Sequence, residues 1–182
     1  MRKYSKHLLT LTILSIIGLF IFNNNNISAN STNIKIYDLK SVKAAGTIPD
    51  FTWEVDGKQV SFKEFTKNKV VFLNIWATWC PPCRREMPDI VKISKELSSK
   101  DFVVIGISVD QGSTARAKVE SFAKAQGVEY INILDVDKKI KSLIGIGAYP
   151  TTFILDKKGQ VSQKIVGMQT YSVFMRAINR AI

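Results

Sequence analysis

Downstream of residue 48, short apolar runs alternate with amphipathic stretches. Val70-Val71-Phe72-Leu73-Asn74-Ile75-Trp76 is almost continuously apolar, the pattern of a strand covered on both faces. Phe102 to Val109 repeats it and predicts a second buried strand. Between them a helix is expected from Cys80 towards Ser99, with Pro88 inside it as a kink. From Ser113 to Gln126, Ala115, Val119, Phe122 and Ala123 recur at helical spacing, and Gly127 closes that helix. Ile131–Leu134 reads as a short strand and Lys138–Ile144 as a short helix. Asp56–Gly57, inside Phe51–Val60, predicts a hairpin. Asp156 to Gly159 predicts another between Thr151–Leu155 and Val161–Val166, and Phe174, Ala177, Ile178 and Ala181 give a closing helix its apolar face. Strands alternating with helices, then a hairpin and a last helix, predict an α/β fold with a mixed central sheet.

The first 48 residues follow different rules. Arg2, Lys3 and Lys6 precede an uncharged stretch from Leu8 to Phe22, the pattern of an export signal. Its 15 residues are short of the roughly 20 of a spanning helix. Ile27-Ser28-Ala29 is a poor cleavage site, so signal peptide and uncleaved signal anchor both stay open for residues 1–22. Residues 23–48 are polar and aperiodic and read as a linker, which leaves 49–182 as the folded domain.

Composition narrows the chemistry. The net charge is +11, but six basic against two acidic residues leave +4 in residues 1–50, and the rest is dispersed without a basic stripe. No nucleic-acid partner is expected. The single histidine, His7, lies in the leader, so the folded part lacks the base of a Cys–His or Ser–His hydrolase. Two cysteines without a second CxxC do not complete a structural zinc site, and neither metal nor cofactor is expected beyond the cysteine pair itself.

That pair is Cys80-Pro81-Pro82-Cys83, placed where a central strand hands over to a helix. A sulfur at a helix N-cap faces unpaired N–H groups and the positive end of the dipole, both of which favour thiolate. Two intervening residues let the sulfurs meet on the first turn. Cys80, at the exposed end, is the expected attacking thiol, and Cys83 the resolving one. Pro81 and Pro82 remove two N–H donors, leaving chiefly that of Cys83; a less stabilised thiolate makes a more reducing couple. Arg84 and Arg85 oppose this as screened surface charges.

Ile75-Trp76-Ala77-Thr78-Trp79-Cys80-Pro81-Pro82-Cys83-Arg84-Arg85-Glu86-Met87-Pro88 resembles the active-site segment of the TlpA/ResA-like extracytoplasmic thioredoxins, and the resemblance runs from Pro49-Asp50-Phe51 to the last helix. It implies a thioredoxin fold with an N-terminal β-hairpin extension and an added βα element. It implies that Pro88 is the family's helix-kinking proline and that Pro150, in Tyr149-Pro150-Thr151-Thr152-Phe153, is cis and lies against the disulfide. Trp79, Tyr149, Pro150 and Gly167 are then the substrate-contacting positions, with Asn74, Pro82 and Pro88 supporting them. Asn74 stands where cytosolic thioredoxin has a titrating Asp. Glu86, three residues past Cys83, matches a functional Glu of the ResA-like branch and is implied, with Cys80 and Cys83, to be catalytic.

The resemblance further implies an extracytoplasmic protein that reduces disulfides in exported proteins, with apocytochrome c the leading substrate, fed by a transmembrane thiol electron donor. The Pro-Pro dipeptide is not the pair of the haem-maturation members, which leaves other exported disulfides open. Competing classes are a disulfide-forming oxidase, a thiol peroxidase and a non-catalytic peptide- or haem-binding module.

Overall fold

The computed structural model describes residues 34–43, 48–99 and 101–182. The leader and the first part of the expected linker lie outside them. Among the described residues no helix is long and apolar enough to cross a membrane. In chain order the elements are β1 (Ile36–Asp38), β2 (Ser41–Lys43), β3 (Asp50–Val55), β4 (Lys58–Ser61), α1 (Phe62–Thr66), β5 (Val70–Trp76), α2 (Pro81–Glu96), β6 (Phe102–Ser108), α3 (Ala115–Gln126), β7 (Ile131–Leu134), α4 (Lys139–Leu143), β8 (Thr151–Leu155), β9 (Val161–Val166) and α5 (Tyr171–Asn179).

The strands form one sheet in the order β1-β7-β6-β5-β8-β9 and a smaller one in the order β2-β3-β4. β5 pairs with β6 in parallel and with β8 antiparallel, so the central sheet is mixed. All seven residues of β5 are buried, as its unbroken apolar run requires. Parallel strands need a crossover, and α2 supplies it between β5 and β6. The carboxyl end of β5 therefore meets the start of α2 inside the fold, and that junction carries the cysteines. Phe72 of β5 stands edge-on to Phe174 of α5 at 4.9 Å, fixing the last helix to the same strand.

The linker expected over residues 23–48 is not all linker. β1 pairs in parallel with β7, Ile36 opposite Asn132, and β2 pairs with β3, Val42 opposite Phe51. Three-residue strands with one anchoring apolar side chain carry no readable period. Ile36 is buried, and Arg116 of α3 reaches across to the Ile36 carbonyl at 3.1 Å and the Asp38 carboxylate at 2.8 Å. The predicted hairpin Phe51–Val60 is thus two strands of a three-stranded sheet. Helix α1 was also hidden, behind a pattern that is present: Ser61 caps it by accepting the Glu64 N–H, the S-x-x-E spacing of a helix start. Helix α2 stops at Glu96, short of Ser99, and continues through Pro88, whose missing N–H leaves the Arg84 carbonyl without its helical donor.

One close approach is set by glycine. Gly106 of β6 lies opposite Asn74 on one side and Asn132 on the other. A Cβ there would stand 2.1 Å from Asn132 Oδ1 and 3.0 Å from Trp76 Nε1, the two atoms of a buried hydrogen bond. Gly106→Ala is expected to cost about 2–4 kcal/mol, from overpacking and the displaced bond, and so to lower Tm by roughly 5–15 °C. Thermal unfolding of the variant checks this.

Candidate active site

Cys80 is the N-cap of α2, with Pro81 and Pro82 at its first two positions. Proline fits there because those N–H groups have no helical partner. Cys80 and Cys83 form a disulfide, with Cα atoms 5.3 Å apart. Cys80 Sγ accepts the Cys83 N–H at 3.3 Å. Cys83 is fully buried, and Cys80, expected at an exposed end, is itself only 4% exposed. In the disulfide state the two cysteines differ less in exposure than chain position suggested.

Glu86 lies one helical turn beyond Cys83 and is 2% exposed. Its Oε1 accepts from Asn74 Nδ2 at 3.0 Å and its Oε2 from the Gln169 N–H at 3.2 Å. Burial pushes its pKa from 4.5 up to about 7, held back by those two hydrogen bonds and helped slightly by the nearby Asp89 charge. A carboxyl poised there can take or give a proton near neutrality. Asn74 is fully buried, and its Nδ2 also donates to Thr152 Oγ1 at 3.0 Å, while its Oδ1 has no partner. The amide suits both states of the acid: in the present orientation it donates to the carboxylate, and turned over it offers Oδ1 to a protonated Glu86. Aspartate at this place would instead set two carboxyls against each other.

The Tyr149–Pro150 bond is cis. Trp79, 58% exposed, stands edge-on to Tyr149 at 5.7 Å, and the Gly167 N–H donates to the Pro150 carbonyl at 2.8 Å. Gly167 has φ +87°, and a Cβ there would meet nothing within 4 Å. Conformation, not crowding, selects glycine at this turn. Of the sequence-predicted positions, the structure brings Trp79, next to Cys80, against Tyr149 and Gly167 against Pro150, bonds Glu86 to Asn74 one turn past Cys83, and sets Pro82 at the second position of α2. Pro88 is exposed on the second turn of the helix, past Glu86.

Several residues escaped sequence reasoning. Val166 and Met168 flank Gly167 and are exposed apolar side chains. They continue the apolar end of β9, Ile165-Val166-Gly167-Met168, so chain order alone did not mark them as exposed. Asp89 accepts the Tyr171 N–H at 2.9 Å and, with Glu86, ties residues 169–171 to α2. Asp110, buried, accepts from Thr78 in the loop before Cys80. Long-range partners such as these, 82 and 32 positions apart, leave no local pattern.

Residues 43–175 match the Redoxin family. The chain is 33% identical over 134 residues to the thiol–disulfide oxidoreductase ResA of Bacillus thuringiensis (strain Al Hakam), covering 73% of this chain and 75% of that protein. It is 33% identical over 144 residues to the thioredoxin-like protein YneN of Bacillus subtilis (strain 168), covering 76% and 84%. Among solved structures, a thiol:disulfide interchange protein of the thioredoxin family from Chlorobium tepidum TLS superposes with a TM-score of 0.63 at 35% identity, covering 73% of this chain and 93% of that one.

Proposed function

The chain belongs to the Redoxin family, and within it to the ResA-like thiol–disulfide oxidoreductases, and from that premise we propose that it reduces disulfides in exported proteins. One observation carries the direction. Cys80 Sγ sits at a helix tip yet receives the N–H of Cys83, because Pro81 and Pro82 have none to give. A sparsely solvated Cys80 thiolate makes the dithiol less favoured and the couple more reducing.

The exchange runs in two displacements. The Cys80 thiolate attacks one sulfur of the substrate disulfide; the Cys80–substrate bond forms and the substrate S–S bond breaks, its departing thiolate taking a proton. Cys83 then loses its proton to Glu86 and attacks Cys80 Sγ; the Cys80–Cys83 bond seen here forms, the Cys80–substrate bond breaks, and the second departing thiolate takes the proton from Glu86. Two electrons and two protons pass to the substrate. A dithiol donor must return the pair to the reduced form. Trp79, Tyr149, Pro150 and Gly167 hold the substrate main chain, and Asn74 orients Glu86. The export-type leader supports an extracytoplasmic place, as a membrane-anchored or secreted protein with a transmembrane thiol donor. The family resemblance makes the haem-attachment cysteines of an apocytochrome c the leading substrate.

The test is the reduction potential of Cys80–Cys83, measured by equilibration with glutathione. A value below about −220 mV is expected; one near about −120 mV, the range of strong oxidants, reverses the proposed direction.

A further inference from the structure

Asp110 follows β6 by two residues and has no part in the two displacements. It is 1% exposed, and three donors converge on it. Its Oδ2 accepts the Thr78 N–H at 2.9 Å and the Ser108 hydroxyl at 2.8 Å, and its Oδ1 accepts the Thr78 hydroxyl at 2.5 Å. Its own N–H donates to Ser108 Oγ at 3.2 Å. The Val109 N–H donates to the Trp76 carbonyl at 3.0 Å. The loop Ala77–Trp79, which delivers Cys80 to the helix tip, is thereby bound to the β6 end through its middle residue. The Cys80 N–H in turn donates to the Ala77 carbonyl at 3.2 Å, so the loop and the nucleophile move as one piece.

Among the described residues no lysine or arginine side chain pairs with the Asp110 carboxyl, which is held by hydrogen bonds alone. Its hydrogen-bond partners, Thr78 and Ser108, are neutral. Asp135, whose N–H donates to the Ser108 carbonyl at 2.8 Å, directs its carboxylate to the N–H groups of Lys139 and Lys141 at 2.7 and 3.0 Å. Arg84 and Arg85 lie on the exposed side of α2. A negative charge bound to the residue two before Cys80 raises the cost of a second negative charge on that sulfur.

We propose that Asp110 is a positioning residue for the exchange reaction, which anchors the loop before Cys80 and whose buried charge keeps the cysteine couple reducing. The inference rests on the reductant reading above, and it concerns differences between variants, whereas that reading stands on the wild-type potential.

The two roles are separated by the signs of two substitutions. Asp110→Asn keeps the shape and removes the charge; the couple is expected to become more oxidising, with the glutathione equilibrium moved about tenfold towards the dithiol, or about 30 mV. Thr78→Val removes one hydroxyl from the carboxylate and leaves its charge less compensated, so the equilibrium moves about threefold the other way, and Thr78→Ser restores the wild-type value. A loop that merely loosened would move both variants in the same direction. The inference is overturned if the Asp110→Asn equilibrium stays within twofold of wild type, or if Thr78→Val moves with it. Should Asp110→Asn fail to fold, Thr78→Val against Thr78→Ser decides alone: a more reducing valine variant supports the inference, and an unchanged or more oxidising one overturns it.

Discussion

Cys80→Ser is expected to abolish disulfide reduction, by about four orders of magnitude or more, the scale on which enzymes lose activity with their nucleophile. Thiolate is the attacking species, and a hydroxyl at the same place does not ionise near neutral pH. The fold should survive the change, because serine is among the favoured residues at a helix N-cap and Cys80 already occupies that position. Cys83→Ser should fail one step later. Its Cys80 still attacks, but nothing displaces the captured substrate, so a covalent mixed disulfide accumulates and is visible on a non-reducing gel and by mass. Turnover at wild-type rate by Cys80→Ser would show that the protein works by binding alone and would end the redox reading.

Glu86→Gln is expected to slow exchange at pH 7 by about a hundredfold, the usual contribution of a positioned acid–base group, and to stabilise the protein above neutrality. Both effects come from the same burial. Folding raises the Glu86 pKa from 4.5 to about 7, so the folded state binds the proton more tightly than the unfolded chain. The stability this gives is complete below about pH 4.5 and is lost as pH rises towards 7. The loss is about 3 kcal/mol, with the Asn74 and Gln169 hydrogen bonds to the ionised form already contained in the raised pKa. Glutamine does not titrate, so its unfolding free energy should lack that slope. It replaces one acceptor by an NH2 group, and the unpartnered Asn74 Oδ1 can receive it when the amide turns. In the wild type, the rate of resolution should show an ionisation near pH 7 that the variant lacks. Denaturant unfolding at pH 5 and pH 8, beside stopped-flow exchange, tests both halves. A variant with the wild-type pH–rate profile would remove Glu86 from the proton path.

Much of this architecture was readable because its signals are local. The apolar run Val70–Trp76 fills both faces of β5, and Asp56–Gly57 and Asp156–Gly159 turn the chain where they stand. The missed elements depend in large part on remote neighbours, although the S-x-x-E start of α1 was local and legible. β1 and β2 are strands because β7 and β3 offer them free edges, and α1 is a single turn whose cap also leans on Asp50 from β3. An edge or a remote cap is a property of the neighbour, which a window along the chain does not contain.

The site divides in the same way. Sequence by itself determined that the chemistry belongs to Cys80 and Cys83, since two prolines and a strand-to-helix junction are covalent and local facts, and that no histidine in the folded part could compete. Tertiary structure alone decided the environment of that pair: that Glu86 is buried against Asn74 and Gln169, that Cys80 is nearly covered, and that Asp110 grips the loop leading to it. Desolvation and hydrogen bonding act between atoms brought together from distant parts of the chain, and they set proton affinities and redox poise without leaving a pattern in the order of residues.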